Sequence, residues 1–188
     1  MARRWWPTND LQQPLTRNIL VLNGSTRTKS TNGLFIEAIM RLAGDRAHFT
    51  VYRSVAELPH FNPDLDVDPA PPAVAHLRAL LREADGVLIC TPEYAMGVPG
   101  SLKNALDWTV SSADLRLKPI MLVTASLSGE KAQASLLETL TVLEGVITPE
   151  TTVLVQFART KVDPEAKITD AHALADVKAA LDAFLAHK

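Results

Sequence analysis

The alternation of five short apolar segments with five amphipathic ones predicts an α/β fold. The expected form is a doubly wound five-stranded parallel sheet, order 2-1-3-4-5, with helices on both faces. Three observations carry this. The strand-like runs are almost wholly apolar instead of alternating, as parallel strands covered on both faces must be. The segments between them place apolar residues at helical spacing. The chain has 188 residues and no internal repeat, which suits one domain burying roughly two thirds of its unfolded surface.

The elements follow in order. NILVLN, from residue 18, reads as the first strand. In GLFIEAIMRLAG, Leu34, Phe35, Ala38, Ile39 and Leu42 share one helical face and Gly44 supplies a C-terminal cap. FTVYR is the second strand, and PPAVAHLRALLREA a helix opened by Pro71 and Pro72. GVLICT is the third strand, PIMLVTA the fourth and TTVLVQF the fifth. Between the third and fourth strands a helix places Leu102, Ala105, Leu106 and Val110 on one side. Further helices are expected from about Glu130 to Leu143 and from about Asp170 to Ala186. The long connection over 54–70 holds three prolines and four acids; it either borders a substrate pocket with His60 and Phe61 or is anchored by its own apolar residues.

Residues 1–17 read as an N-terminal arm, leaving 18–188 as the domain. Trp5 and Trp6 on that arm are better buried than exposed, against the domain or a second subunit, the alternative being a floppy tail. The net charge is -2, without the basic footprint of a nucleic-acid binder. No apolar run reaches the length of a membrane span. The twin arginines of MARRWW are followed by Pro7, Asn9, Asp10, Gln12 and Gln13, where an export signal would need an apolar stretch. One cysteine, Cys90, fits a reducing compartment. A cytoplasmic protein with small-molecule partners is the expectation.

In doubly wound sheets ligands bind beyond the carboxyl ends of the strands, where the winding reverses; here that point lies between strands 1 and 3. After strand 1 comes NGSTRTKSTNG, residues 23–33, with several hydroxyls, Arg27, Lys29 and a helix start. Hydroxyls, a guanidinium fork and free helix N–H groups suit a phosphate monoester; helix capping alone is the plainer use of Ser, Thr and Asn. A Walker A loop is excluded because Thr28 stands where it needs Gly, and a dinucleotide fingerprint because Gly24 is unaccompanied. After strand 3 comes PEYAMGVPGSLKNALDW, from residue 92. Its Pro and Gly residues shape a flat, backbone-lined turn with Tyr94 and Met96 beside it, and Pro99 opens the next helix.

Together, GSTRTKSTN and PEYAMGVPGSLKNALDW resemble the NADPH-dependent FMN reductase family, which includes quinone, azo and chromate reductases, and the resemblance extends from about Asn18 to the end. It implies a flavodoxin-like fold, non-covalent FMN, NADPH or NADH as co-substrate, and a homodimer or homotetramer. It further implies that Ser25, Arg27, Ser30, Thr31 and Asn32 hold the FMN phosphate. Pro92, Glu93, Tyr94, Met96 and Gly97 then line the isoalloxazine ring, with Ala95 among them, and Ser126 touches it from the loop after strand 4. Two departures stand out. Ala95 occupies a position where the family usually has Asn, and SLSGEKAQ is shorter than the family's Gly-rich loop.

The implied activity is ping-pong hydride transfer from NAD(P)H to FMN and on to a quinone, azo compound, flavin or similar small-molecule acceptor. The flavin carries that transfer, so no catalytic triad is expected, and TASLS around Ser126 is no nucleophile elbow. Glu93 reads as structural, accepting backbone N–H bonds or pairing across an interface, more than as a general acid. Trp108 reads as packing or interface, and Cys90 as a small buried residue. Histidines at 48, 60, 76, 172 and 187 show no ligand spacing, so no metal is expected. The alternatives are an electron-carrier flavodoxin, which a near-neutral charge disfavours, and a flavin-free binding or regulatory protein of the same fold.

Overall fold

The computed structural model describes residues 16–187; Trp5 and Trp6 lie outside them. Five strands form one parallel sheet in the order β2-β1-β3-β4-β5: β1 (Arg17–Asn23), β2 (Ala47–Tyr52), β3 (Gly86–Thr91), β4 (Ile120–Ala125) and β5 (Thr152–Val155). The helices are α1 (Thr31–Ala43), α2 (Pro72–Glu83), α3 (Gly100–Asp107), α4 (Glu130–Val142) and α5 (Ala171–Ala186).

The apolar strands are explained by two cores. Ile19, Val21, Leu88, Cys90, Met121 and Val123 point to one face, against residues of α1 and α5 such as Phe35, Ile39, Val177 and Phe184. Leu20, Leu22, Val87, Ile89, Ile120 and Leu122 point to the other, against Leu77, Leu81, Leu102, Leu106, Leu136 and Leu140. Every residue of β3 and β4 is buried. Successive side chains alternate faces, so covering both faces makes nearly every position of the central strands apolar.

The structure moves several boundaries. β2 stops at Tyr52, leaving Arg53 exposed beyond it. α3 ends at Asp107, so its buried side is Leu102, Ala105 and Leu106, and Val110 is exposed. Pro99 stands just before the helix, at its N-cap. β5 ends at Val155, two residues before Phe157.

The long connection after β2 is anchored on α3 and on Trp108 beyond it. Asn104 accepts from the Phe61 N–H at 2.7 Å and donates to the Pro59 carbonyl at 3.0 Å. Trp108, fully buried, donates its indole N–H to the same carbonyl at 2.8 Å and meets Phe61 edge to face at 5.0 Å. Asp66 pairs with the largely buried Arg78 at 2.7 Å. Trp108 is thus a packing residue, its polar atom satisfied as burial demands. His60, next to these anchors, is exposed.

Candidate flavin site

The carboxyl ends of β1 and β3 are adjacent, with Asn23 opposite Cys90, and β4 continues the edge with Thr124 opposite Thr91. The loop after β1 approaches β3 closely because Gly24 has no side chain: a Cβ there would lie 2.3 Å from Thr91 Oγ1. Ser25 follows, buried, its N–H donating to Asn23 Oδ1 at 2.9 Å.

Ser30 caps α1. Its Oγ accepts from the Gly33 N–H at 3.0 Å and its carbonyl from the Leu34 N–H at 3.2 Å. The N–H groups of a helix's first turn have no partner within it, and the Ser30 hydroxyl satisfies that of Gly33. Those of Thr31 and Asn32 stay available at the positive end of the helix dipole. Capping and anion binding coexist here, since a hydroxyl that accepts still has a proton to donate. The Asn32 side chain is committed elsewhere: it is buried, donates to the Ala125 carbonyl at 3.2 Å and faces the Cys90 thiol at 3.3 Å. Burial pushes the Cys90 thiol's pKa well up, so it is a packing residue rather than a reactive one.

The loop after β3 makes a tight turn in which Tyr94 and Gly97 exchange backbone hydrogen bonds at 3.0 Å each way. Its central residues, Ala95 and Met96, have φ of 48° and 62°, the left-handed pair of a type I′ turn. Asn and Gly are the residues that reach this region at low cost, so the departure at Ala95 is one of backbone preference.

Glu93 turns away from this turn toward α4. Its carboxylate accepts from the N–H groups of Gly129 at 3.2 Å and of Lys131 and Ala132 at 2.9 Å. These donors, Ala132 foremost, hold its pKa below the usual carboxylate range. Its own N–H donates to Ser126 Oγ at 3.1 Å. Glu93 therefore caps α4 and ties the loop after β3 to the loop after β4. That second loop is only Ser126–Gly129, and Gly129 (φ 98°) occupies the N-cap of α4.

These loops enclose a cleft of about 440 Å³. Of the residues expected from the sequence, Ser25, Arg27, Ser30, Thr31, Asn32, Pro92, Tyr94 and Ser126 line it. Glu93, Ala95, Met96 and Gly97 do not: Glu93 is spent on α4, and the other three form the turn that carries Tyr94. The remaining walls were missed in the sequence: Ala125 and Leu127, and Phe157, Ala158, Arg159 and Thr160 beyond β5. Phe157 adopts φ 50° and stays 61% exposed, while its N–H donates to the Leu127 carbonyl and that of Ala158 to the Ser126 carbonyl. The signal available for them was the general rule that every strand's carboxyl end can contribute, together with the polar Arg159-Thr160-Lys161 after an apolar run.

The cleft is lined by hydroxyls, the guanidinium groups of Arg27 and Arg159 and open helix N–H groups, and also by Tyr94, Leu127 and Phe157. That lining fits a phosphate monoester together with a planar ring. A 2-1-3-4-5 parallel sheet with this cleft at its switch point defines a flavodoxin-like mononucleotide-binding protein.

Comparison with known proteins agrees. Residues 17–160 match the family described as NADPH-dependent FMN reductase. The chain is 32% identical over 173 residues to the quinone reductase of Escherichia coli, covering 88% of this chain and 92% of that one. It is also 32% identical to a NADH:(hydroxy)cinnamate reductase subunit of Vibrio ruber, over 85% of this chain and 81% of the relative. Among solved structures, the flavoenzyme NAD(P)H:(acceptor) oxidoreductase FerB of Paracoccus denitrificans superposes with a TM-score of 0.81 at 28% identity, covering 90% of this chain and 96% of that one. The chain belongs to the NADPH-dependent FMN reductase family and is an FMN-dependent NAD(P)H oxidoreductase.

Proposed function

We propose that the chain is a quinone-type reductase whose FMN lies in the cleft between the loops after β1, β3, β4 and β5. The observation that carries this is a cleft lined both by a phosphate-type donor set and by exposed aromatic residues. Arg27, the hydroxyls of Ser25, Ser30 and Thr31, and the N–H groups of Thr31 and Asn32 hold the phosphate. Pro92, Tyr94, Ser126, Leu127 and Phe157 bound the ring.

Bound there, FMN would supply the redox chemistry of a hydride acceptor toward NAD(P)H and of a reductant toward the acceptor. The protein's part is to position. Tyr94 and Phe157, 47% and 61% exposed, leave the ring end of the cleft open to two planar substrates in turn. Glu93 holds Ser126 and the start of α4 in register with the loop after β3. The acceptor class is read from the relatives, and a quinone is the first to test.

Among the described residues no helix is long and apolar enough to cross a membrane. A cytoplasmic location is proposed from the one cysteine. A second copy of the chain is proposed at the groove between α3 and α4, where Val110 and Val142 are exposed beside Leu106 and Leu143. Sedimentation of a Val142→Glu variant tests that face: a monomer is expected, and an unchanged assembly counts against it.

Anaerobic titration of the FMN-loaded protein with NADPH and NADH, followed by a panel of acceptors, tests the function. Bleaching of the flavin by either nucleotide and sustained turnover with a quinone are expected, and a protein reduced once without turnover is a carrier instead. Arg27→Ala should weaken FMN binding by about tenfold or more while leaving riboflavin binding unchanged, since it removes a charge-assisted contact to phosphate. Unaltered FMN affinity in that variant overturns the phosphate placement.

A further inference from the structure

A second, larger concavity of about 650 Å³ adjoins the flavin cleft and shares Arg27, Ser30, Thr31 and Arg159 with it. Three of its side chains are cationic: Arg27, Lys29 and Arg159. Its one acid, Glu37, is paired with Arg41 on its own helix at 3.4 Å. Neither Lys29 nor Arg159 takes part in an ion pair among the described residues. Cations gathered in one concavity focus a positive potential and concentrate anions there.

The flavin phosphate does not account for all of this charge: Arg27 and Arg159 also line the flavin cleft, but Lys29 does not. A phosphate monoester carries close to two negative charges, and Arg27, the hydroxyls and the end of α1 meet them. Lys29 faces only the outer groove. Leu34, Val162 and Pro164 add apolar wall there, which suits a base as well as a phosphate. The enzyme's other nucleotide is the nicotinamide dinucleotide, whose adenylate half carries phosphates that need a seat outside the flavin cleft.

We propose that this groove binds the adenylate half of the nicotinamide dinucleotide, with Arg159 on the diphosphate where cleft and groove meet and Lys29 on the 2′-phosphate of NADPH, so that Lys29 sets a preference for NADPH over NADH. The reading rests on FMN occupying the cleft. It assigns the two cations different signatures: Lys29 acts on NADPH alone, and Arg159 on both dinucleotides.

Calorimetric titration of the FMN-loaded enzyme with 2′,5′-ADP and with ADP, alongside KM for NADPH and NADH, tests it in wild type, Lys29→Ala, Lys29→Arg and Arg159→Ala. Wild type is expected to bind 2′,5′-ADP more tightly than ADP. Lys29→Ala should lose about tenfold in 2′,5′-ADP affinity and show a KM for NADPH about tenfold higher, as the loss of one charge-assisted phosphate contact dictates. Its ADP affinity, KM for NADH and FMN affinity should hold, and Lys29→Arg should recover the loss. Arg159→Ala should weaken ADP and 2′,5′-ADP alike. Equal binding of the two nucleotides by wild type, or unchanged 2′,5′-ADP affinity in Lys29→Ala, overturns the assignment. Failure of the flavin placement shows separately, as unaltered FMN affinity in Arg27→Ala.

Discussion

Replacing Glu93 by Gln removes the charge of the α4 cap while keeping an oxygen that can accept hydrogen bonds. The carboxylate receives three backbone N–H groups, two of them at 2.9 Å. Loss of a side-chain cap costs about 1 kcal/mol, and the helix-dipole contribution adds about 0.3–1 kcal/mol at a solvent-accessible site. The variant is therefore expected to be about 1–2 kcal/mol less stable at pH 7. For a domain of this size that is about 3–6 °C in Tm. The pH dependence follows from linkage. A carboxyl whose folded pKa is lowered contributes stability above its unfolded pKa, and the contribution is lost as pH falls through the folded value. The wild-type advantage should be full at neutral pH, begin to shrink near about pH 4.3, and vanish at lower pH. Urea unfolding of both proteins at neutral pH and across the acid range measures it. Equal stability at neutral pH, with quinone turnover reduced by orders of magnitude, would refute the capping role and make Glu93 a proton donor.

Ala95 and Gly129 offer opposite tests of backbone conformation. Ala95→Asn places a residue tolerant of φ near 48° in the turn and should raise stability by about 0.5–1 kcal/mol; a lower Tm would show that the turn is not left-handed in solution. Gly129→Ala forces a Cβ to within 2.8 Å of Leu154 Cδ1 at φ 98°. A loss of about 2–4 kcal/mol is expected, read as a shifted denaturation midpoint, and a neutral result contradicts the close packing of that loop.

The strands were legible because burial on both faces writes itself into every position: NILVLN and GVLICT have no polar residue inside the run. Boundaries were less so. TTVLVQF reads as strand through Phe157, yet β5 stops at Val155, because the Phe157 and Ala158 N–H groups go to the carbonyls of Leu127 and Ser126 in a loop some thirty residues earlier. The same long-range pairing puts Phe157 and Arg159 on the cleft, so neither was found from the chain read locally. Val110 was placed on α3 by spacing alone, but the helix ends at Asp107, and spacing carries no stop signal there.

Within the site, the phosphate-type loop and the switch point could be read because each depends on residues adjacent in sequence. Ser25, Arg27, Ser30 and Thr31 stand together after β1, and helix-start chemistry is local. The assignment within PEYAMG could not be read in the same way. Tyr94 lines the cleft while Glu93 turns to α4, since the donors that claim the carboxylate lie 36–39 residues further along. The amino-acid sequence alone determined the order of strands and helices, the two-sided burial of the sheet and the switch point at which the cleft lies. Only the tertiary structure decided which side chains line that cleft, because orientations such as that of Glu93 are chosen by hydrogen-bond partners brought near by the sheet.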